Sequence, residues 1–128
     1  MVQNIDYAPT FLDIAGLPIP AWMQGLSLQP VLTSPKGTLP RNSLYYHFYE
    51  YKADHTVLEH LGVRGERYKL IYFYTVNEWQ LFDLQKDPME QKNLVLAKTY
   101  QEILVQMKKE LLRLRDVYDD HEPAGELR

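Results

Sequence analysis

The sequence predicts an α+β fold: an antiparallel sheet of about four strands with a long C-terminal amphipathic helix packed on one face, preceded by a short helix and a proline-rich arm. Strand-like runs rich in aromatic and β-branched residues, separated by turn residues, occupy positions 44–84. Apolar residues then recur at steps of three and four over positions 100–118, which predicts the helix. Prolines concentrated between positions 17 and 43 predict the arm.

The first element is a short helix over residues 4–16. Asp6 is placed to cap its start, and Pro9 falls in the first turn, where the missing N–H does no harm. Gly16 stands where helices commonly end in the left-handed conformation.

The arm that follows, residues 17–43, contains five of the eight prolines. This content predicts loop, with one turn of helix near residues 26–32. We therefore divide the chain into residues 1–43, a helix with its connecting arm, and residues 44–128, the α+β unit.

The sheet is predicted from residues 44–51, then from 61–64 and 67–74 joined by a hairpin turn at Gly65 and Glu66, and then from 78–84. The helix follows from one apolar stripe whose members lie three or four residues apart, while lysine, arginine and glutamate fill the other faces. The stripe consists of Tyr100, Ile103, Leu104, Met107, Leu111, Leu114 and Tyr118.

Composition excludes several functions. The 128 residues carry a net charge of −3, without the basic footprint that nucleic-acid binding needs. There is no Cys, which excludes disulfides, thiolate zinc sites and a cysteine nucleophile. No run of about 18 apolar residues occurs, so no membrane-spanning helix is predicted.

Histidines and arginines are the candidate functional residues. His55 and His60 are five residues apart, whereas a helical zinc motif needs four, so we assign no metal site. Arg64, Arg67 and Lys69 surround the hairpin turn. Ion pairing within the fold is one role for them, and binding of sulfate or phosphate by the arginine fork is the alternative.

Three segments resemble, in order and spacing, motifs from the C-terminal region of type I (formylglycine-dependent) sulfatases. The first combines a D-Y-A-P-T-F-L-D-I-A-G helix with a G-L-S-L segment, and the second is the G-V-R and R-Y-K-L-I hairpin. The third is E-W-Q-L-F-D-L followed by D-P-M-E-Q-K-N-L. They occupy residues 6–18 with 25–28, 62–64 with 67–71, and 78–84 with 87–94. Gly65 departs from the family pattern, where Thr is usual.

The resemblance implies that the catalytic machinery belongs to a large N-terminal domain. That domain carries the formylglycine, made in a C/S-x-P-x-R motif, and the calcium ligands. None of the windows that start at Ser27, Ser34 or Ser43 matches this motif. We therefore expect no catalytic residue, metal ligand or cofactor in this chain, and we expect the missing catalytic domain to be its partner.

Among these sulfatases, the chain is most similar to the N-acetylglucosamine-6-sulfatase-like group, which acts on sulfated glycosaminoglycan or mucin sugars. Residues 45–51 and then 55–63 carry this likeness, and in that group the equivalent loop faces the active-site cleft. His55 and His60 are the substrate-facing candidates, with His47 and Arg64 behind them; packing or domain-interface contacts are the alternative. The whole protein is expected to be periplasmic or secreted.

Two further readings stay open. The aromatic residues 45–51 suggest a stand-alone carbohydrate-binding or protein-interaction module. The chain could instead be a non-functional fragment. If the large domain is missing, the helix and arm of residues 1–43 should be exposed, which predicts self-association.

Overall fold

The computed structural model describes residues 1–50, 56–125 and 127. The chain forms two compact units, residues 1–42 and residues 43–128.

The N-terminal unit begins with a 3₁₀ turn, Asn4–Asp6, that runs directly into helix α1 (Tyr7–Ile14). The predicted helix over residues 4–16 is therefore shorter and starts as 3₁₀. Gly16 adopts a φ of 68°, as predicted, and its position lets the Leu17 N–H donate to the Leu12 carbonyl at 2.9 Å. The predicted turn near residues 26–32 is helix α2 (Gln29–Thr33).

Asp6 makes no side-chain cap at the first residue of α1, but its carboxylate takes part in a capping box with Gln3 at the start of the preceding 3₁₀ turn. The buried carboxylate accepts hydrogen bonds from the backbone N–H groups of Gln3 (2.8 Å) and Leu26 (2.9 Å) and from the Arg41 guanidinium. The carboxylate therefore joins the start of the helix to two points on the arm, which explains why it is buried rather than at the surface.

Two further side chains of α1 hold the same stretch of the arm. The Thr10 hydroxyl accepts the Leu28 N–H at 2.8 Å, and the Ser27 hydroxyl donates to the Asp13 carboxylate. A Cβ at Gly25 would overlap the Ile5 carbonyl group, so only glycine permits this approach. The helix and the G-L-S-L segment are thus parts of one hydrogen-bonded structure.

The C-terminal unit contains the predicted antiparallel sheet, with strands β1 (Ser43–Phe48), β2 (His60–Gly65), β3 (Tyr68–Phe73) and β4 (Glu78–Asp83) in sequential order. The α+β prediction is confirmed, with shifted boundaries: β1 ends at residue 48, and the β2–β3 turn falls on residues 66–67. In the β2–β3 register Arg64 pairs with Lys69, which their spacing in the sequence did not fix.

Helix α3 (Gln101–Val117) follows a 3₁₀ turn at Lys98–Tyr100 and lies against the sheet, as its apolar stripe predicted. The core is formed where one face of each strand meets α3 and the segments on either side of it. Its buried members are Tyr45, Leu61, Val63, Leu70, Tyr72, Leu81, Leu94, Leu104, Leu111, Leu114, Ala124 and Leu127.

The third motif segment closes the β4 edge of the sheet. The Leu81 N–H donates to the Asn93 side-chain oxygen at 3.0 Å, and the Asn93 amide donates to the Trp79 carbonyl at 3.0 Å. The Leu94 N–H then donates to the Leu81 carbonyl at 2.8 Å. Backbone groups of an edge strand otherwise stay open to pairing with another chain. The asparagine of this motif therefore has a structural role.

Asp83, at the end of β4, also has a structural role. Its buried carboxylate accepts two hydrogen bonds from Arg67, at 3.0 Å from Nε and 2.8 Å from Nη2. The Arg67 hydrogen bonds hold the pKa of the Asp83 carboxyl below its ordinary value. Of the two roles open to Arg67, ion pairing is the one that the structure shows.

Candidate functional site

His60 is the first residue of β2 and pairs with Phe48 of β1, on the sheet face that α3 does not cover. Its Nδ1 lies 2.8 Å from the Leu58 carbonyl oxygen. A carbonyl oxygen only accepts, so Nδ1 carries a proton and is occupied. The other ring nitrogen, Nε2, forms no hydrogen bond within the part of the chain that the structure describes.

Three aromatic rings fix the orientation of the His60 imidazole. The ring stacks on Phe48 with 5.4 Å between centroids, lies 5.1 Å from Phe73, and meets Tyr46 edge-on at 5.9 Å. Aromatic contacts of this kind hold a side chain with little freedom to rotate. The site is therefore an imidazole that is surrounded by three aromatic rings at one end of the sheet.

Tyr46 lies across Gly62 on the same face, and a Cβ at position 62 would collide with the tyrosine ring and lie 2.7 Å from the Leu70 carbonyl oxygen. Its hydroxyl is buried and finds no hydrogen-bond partner among the described residues. Burial raises the pKa of this hydroxyl, so it is neutral at any physiological pH.

Arg64 lies on the same face of the sheet as His60, but at a distance from it along the strand. The two are four positions apart on an extended strand, about 13 Å between their Cα atoms at the usual rise per residue. Lys69, directly opposite Arg64, is paired with Glu90 at 2.6 Å. Arg64 itself is exposed and forms no ion pair within the described residues. His60 and Arg64 therefore project from the same face at points about 13 Å apart along the strand.

His47 lies on the opposite face. It pairs with Leu61, a core residue, whereas the next residue, Phe48, pairs with His60. Its Nδ1 is 2.7 Å from the Asp120 carboxylate, and its Nε2 is 3.3 Å from the Tyr74 hydroxyl. The structure therefore does not place His47 behind His60 as a second substrate-facing side chain.

His55, the fourth candidate, lies outside the described residues. Within residues 1–50, 56–125 and 127, no three His, Asp or Glu side chains form an arrangement that would hold a metal ion. None of the helices in the described part is long and apolar enough to cross a membrane.

The aromatic run of β1 is not an exposed platform. Tyr45 belongs to the core, Tyr46 and Phe48 are half-buried, and only Tyr49, with 68% of its surface exposed, is open to solvent among residues 45–49. Tyr45, Tyr46 and Phe48 are therefore largely taken up by contacts within the fold, and Tyr49 is the aromatic residue of positions 45–49 that stays exposed.

Sequence reasoning missed the cluster around Asp120. Its carboxylate accepts hydrogen bonds from the Tyr45 hydroxyl and from His47, and Arg115 lies 3.6 Å away. Burial by itself raises the pKa of the Asp120 carboxyl, but the hydrogen bonds from Tyr45 and His47 outweigh burial and lower it. A separation of 73 residues between His47 and Asp120 leaves no local pattern that could have indicated the pair.

Comparison with known proteins assigns the chain to a family. The model of the family described as N-sulphoglucosamine sulphohydrolase, C-terminal, matches residues 1–117. The chain belongs to this sulfatase C-terminal family. The match confirms the resemblance that the three motif segments indicated.

Sulfatases of Bacteroides thetaiotaomicron are among its relatives. The chain is 41% identical over 129 residues to an N-acetylglucosamine-6-O-sulfatase, and 36% identical over 105 residues to a Δ4,5-hexuronate-2-O-sulfatase. These matches cover 94% and 80% of this chain but only 22% and 21% of the two sulfatases. The chain therefore spans about a fifth of the length of these curated relatives.

Solved structures agree with this assignment. BT4656, in complex with its substrate D-glucosamine-2-N,6-O-disulfate, superposes with a TM-score of 0.90 at 39% identity, over 96% of this chain and 26% of that one. BT1596, a 2-O glycosaminoglycan sulfatase, superposes with a TM-score of 0.80 at 30% identity, over 90% of this chain and 25% of that one. This sulfatase C-terminal domain thus has the fold of its family.

Proposed function

We propose that this sulfatase C-terminal domain forms one wall of the substrate cleft of a sulfatase that hydrolyses sulfate esters of glycosaminoglycan or mucin sugars, and that it is inactive alone. The substrate class is carried over from the group that the sequence resembles, and the 41% identical N-acetylglucosamine-6-O-sulfatase and the 2-O glycosaminoglycan sulfatase BT1596 support it. No catalytic residue is proposed in this chain, because the formylglycine motif of the family has no counterpart in it.

The observation that carries the proposal is the geometry of His60. Its imidazole is oriented by three rings and by the Leu58 carbonyl, and Nε2 has no hydrogen-bond partner among the described residues. An imidazole N–H donates well to a sulfate or hydroxyl oxygen, and pre-orientation lowers the entropic cost of binding. His60 is therefore the side chain that we assign to sugar contact. His55 stays a candidate beside it, and Arg64 is a candidate only for a second, more distant anionic group.

The partner that we propose is the catalytic domain of the same sulfatase. Tyr7, Phe11 and Ile14 form a stripe on one side of α1, and all three are exposed, Phe11 by 68%. Exposed apolar stripes of this kind usually pack against another surface. Residues 1–43 would then belong to the large domain, while residues 44–128 form the smaller domain beside the cleft.

From the same resemblance to sulfatases, we propose that the catalytic domain supplies the formylglycine and the calcium ion, and that the whole protein works in the periplasm or outside the cell. The residues of this chain would bind and orient the sugar without taking part in breaking the S–O bond.

A titration of the isotope-labelled chain with glucosamine 6-sulfate tests the sugar contact, with unsulfated glucosamine as the control. We expect the ring signals of His60 to shift in the millimolar range only with the sulfated sugar, and no sulfate release from an aryl sulfate with added calcium. Shifts that are equal for both sugars would remove the sulfate contact from the proposal. Turnover by the chain alone would contradict the claim that it is inactive.

The stand-alone carbohydrate-binding module is distinguished by the same titration. Tyr49 is the exposed aromatic residue in the described part of the β1 run that could favour it. Binding at micromolar concentrations of sugar, without a catalytic domain, would support that function instead.

A further inference from the structure

The carboxylate of Asp120 is shared by two side chains of β1. It accepts hydrogen bonds from the Tyr45 hydroxyl and from His47 Nδ1, the latter at 2.7 Å. The His47 side chain is only 6% exposed and that of Asp120 only 12%. A carboxylate shielded from water in this way interacts strongly with its donors.

The end of α3 fixes the position of Asp120. Asp119 adopts a left-handed φ of 54°, and the Asp120 N–H donates back to the Arg115 carbonyl at 3.0 Å. The Asp119 N–H donates to the Asp116 carbonyl at 3.2 Å, which completes a Schellman motif. Arg115 in turn donates to the backbone carbonyl of Asp120 at 3.2 Å. Asp120 is thus a rigid point at the end of the helix.

The end of β1 connects this point to His60. His47 is the last but one residue of the strand, and the last, Phe48, pairs with His60 and stacks on its ring. His47 and Phe48 point to opposite faces of the sheet, so holding one of them fixes the backbone that carries the other. Displacement of His47 would therefore move the ring on which His60 rests.

We propose that Asp120, acting through His47, is a positioning residue for the His60 imidazole. Only the expected effect on sugar binding rests on the proposed function. The link from Asp120 to His60 rests on contacts within this chain. Loss of the His47 hydrogen bond frees the end of β1, tilts Phe48 and lets the His60 ring take other orientations. The fold persists, since the core residues of β1–β4 are unchanged.

Two matched substitutions in the 128-residue chain test the link. His47→Phe keeps a ring at this position but removes both the donor to Asp120 and the contact with the Tyr74 hydroxyl, so Asp120→Ala, which removes only the first, must give the same result. Tyr45→Phe removes the other donor to the same carboxylate. We expect the Cε1–H signal of His60 to lose its ring-current displacement in His47→Phe and to keep it in Tyr45→Phe. The dissociation constant for glucosamine 6-sulfate should rise about fivefold in His47→Phe, and less than about twofold in Tyr45→Phe.

An unchanged His60 signal in a folded His47→Phe chain would overturn the proposal, whatever its effect on stability. Equal displacement of the signal by both substitutions would also overturn it, because a general loosening of the fold would then suffice. Should His47→Phe not fold, Asp120→Ala applies the same criterion. If the signal moves but no chain binds the sugar, the positioning role holds and the proposed sugar contact fails.

Discussion

Arg41 and Asp6 form a two-pronged ion pair within the N-terminal unit, with Nη1 2.6 Å from Oδ2 and Nη2 2.7 Å from Oδ1. The Arg41 side chain is 6% exposed and the Asp6 side chain is fully buried. The pair joins the first helix to the last residues of the arm, 35 positions later. The ion pair therefore connects the two ends of a unit that otherwise has little buried apolar surface.

Arg41→Met tests this closure. The substitution leaves the buried Asp6 carboxylate without its charge partner, so we expect a loss of about 3–5 kcal/mol from the free energy of unfolding of this unit. Hydrogen exchange of the Leu26 N–H, which donates to Asp6, reports the opening locally. Lys36→Met, at an exposed position of the same arm, is the control. Equal exchange rates in the two variants would mean that the pair does not hold the arm.

The same carboxylate predicts a pH dependence. Burial alone raises the pKa of Asp6, but the hydrogen bonds from Arg41, Leu26 and Gln3 outweigh burial, so the pKa lies below its ordinary value. A group with a lowered pKa stabilises the fold fully above its unfolded pKa, near 4, and this contribution is lost as the pH falls through the folded pKa.

Unfolding measured between about pH 6 and pH 2 should therefore show stability decreasing towards acid. Asp6→Asn should be less stable than the unsubstituted chain at neutral pH, and the difference should shrink as the pH falls below about 4. A difference that stays constant over this range would contradict the lowered pKa.

Tyr46→Phe is expected to stabilise the chain. The Tyr46 hydroxyl is buried with no hydrogen-bond partner among the described residues, and an unsatisfied buried hydroxyl costs about 1–3 kcal/mol. Thermal unfolding should show a higher midpoint, while Tyr45→Phe, which loses its hydrogen bond to Asp120, should show a lower one. A lower midpoint for Tyr46→Phe would indicate that its hydroxyl is satisfied in solution.

Self-association of the isolated chain remains a prediction. The exposed stripe of Tyr7, Phe11 and Ile14 supplies the surface. Sedimentation velocity should show a concentration-dependent dimer, and Phe11→Glu should shift the equilibrium towards monomer because it adds a charge to the apolar stripe. Thr33→Glu, at an exposed position of α2, should not. A monomer at every concentration would exclude association through this stripe.

The sequence predicted the elements with strong local patterns. The stripe from Leu104 to Leu114 has the helical period, and the hairpin was predicted from strand residues on either side of a turn at Gly65 and Glu66, one position before the observed turn. β1 was predicted too long because aromatic residues continue past Phe48, where the strand ends. Strand propensity alone does not mark an end without a turn residue.

The candidate site was less accessible to sequence reasoning, because it depends on pairings between distant residues. Arg64 and Lys69 lie on the same face because they pair directly across the hairpin. Their spacing in the sequence does not reveal this pairing. The separation of His47 from His60 follows from the β1–β2 register, across a long connection. Resemblance identified the motif segments, but only the contacts of Asp83 and Asn93 showed that these residues support the fold.

We propose that His60 of this domain lines the substrate cleft of a sulfatase and contacts the sugar. The most direct measurement is the kinetics of a chimera in which this chain replaces the matching segment of the Bacteroides thetaiotaomicron N-acetylglucosamine-6-O-sulfatase. The claim predicts that the chimera desulfates 6-sulfated N-acetylglucosamine and that His60→Ala lowers kcat/KM about tenfold, while Arg64→Ala changes it less than about twofold. An active chimera in which His60→Ala leaves kcat/KM unchanged would contradict it.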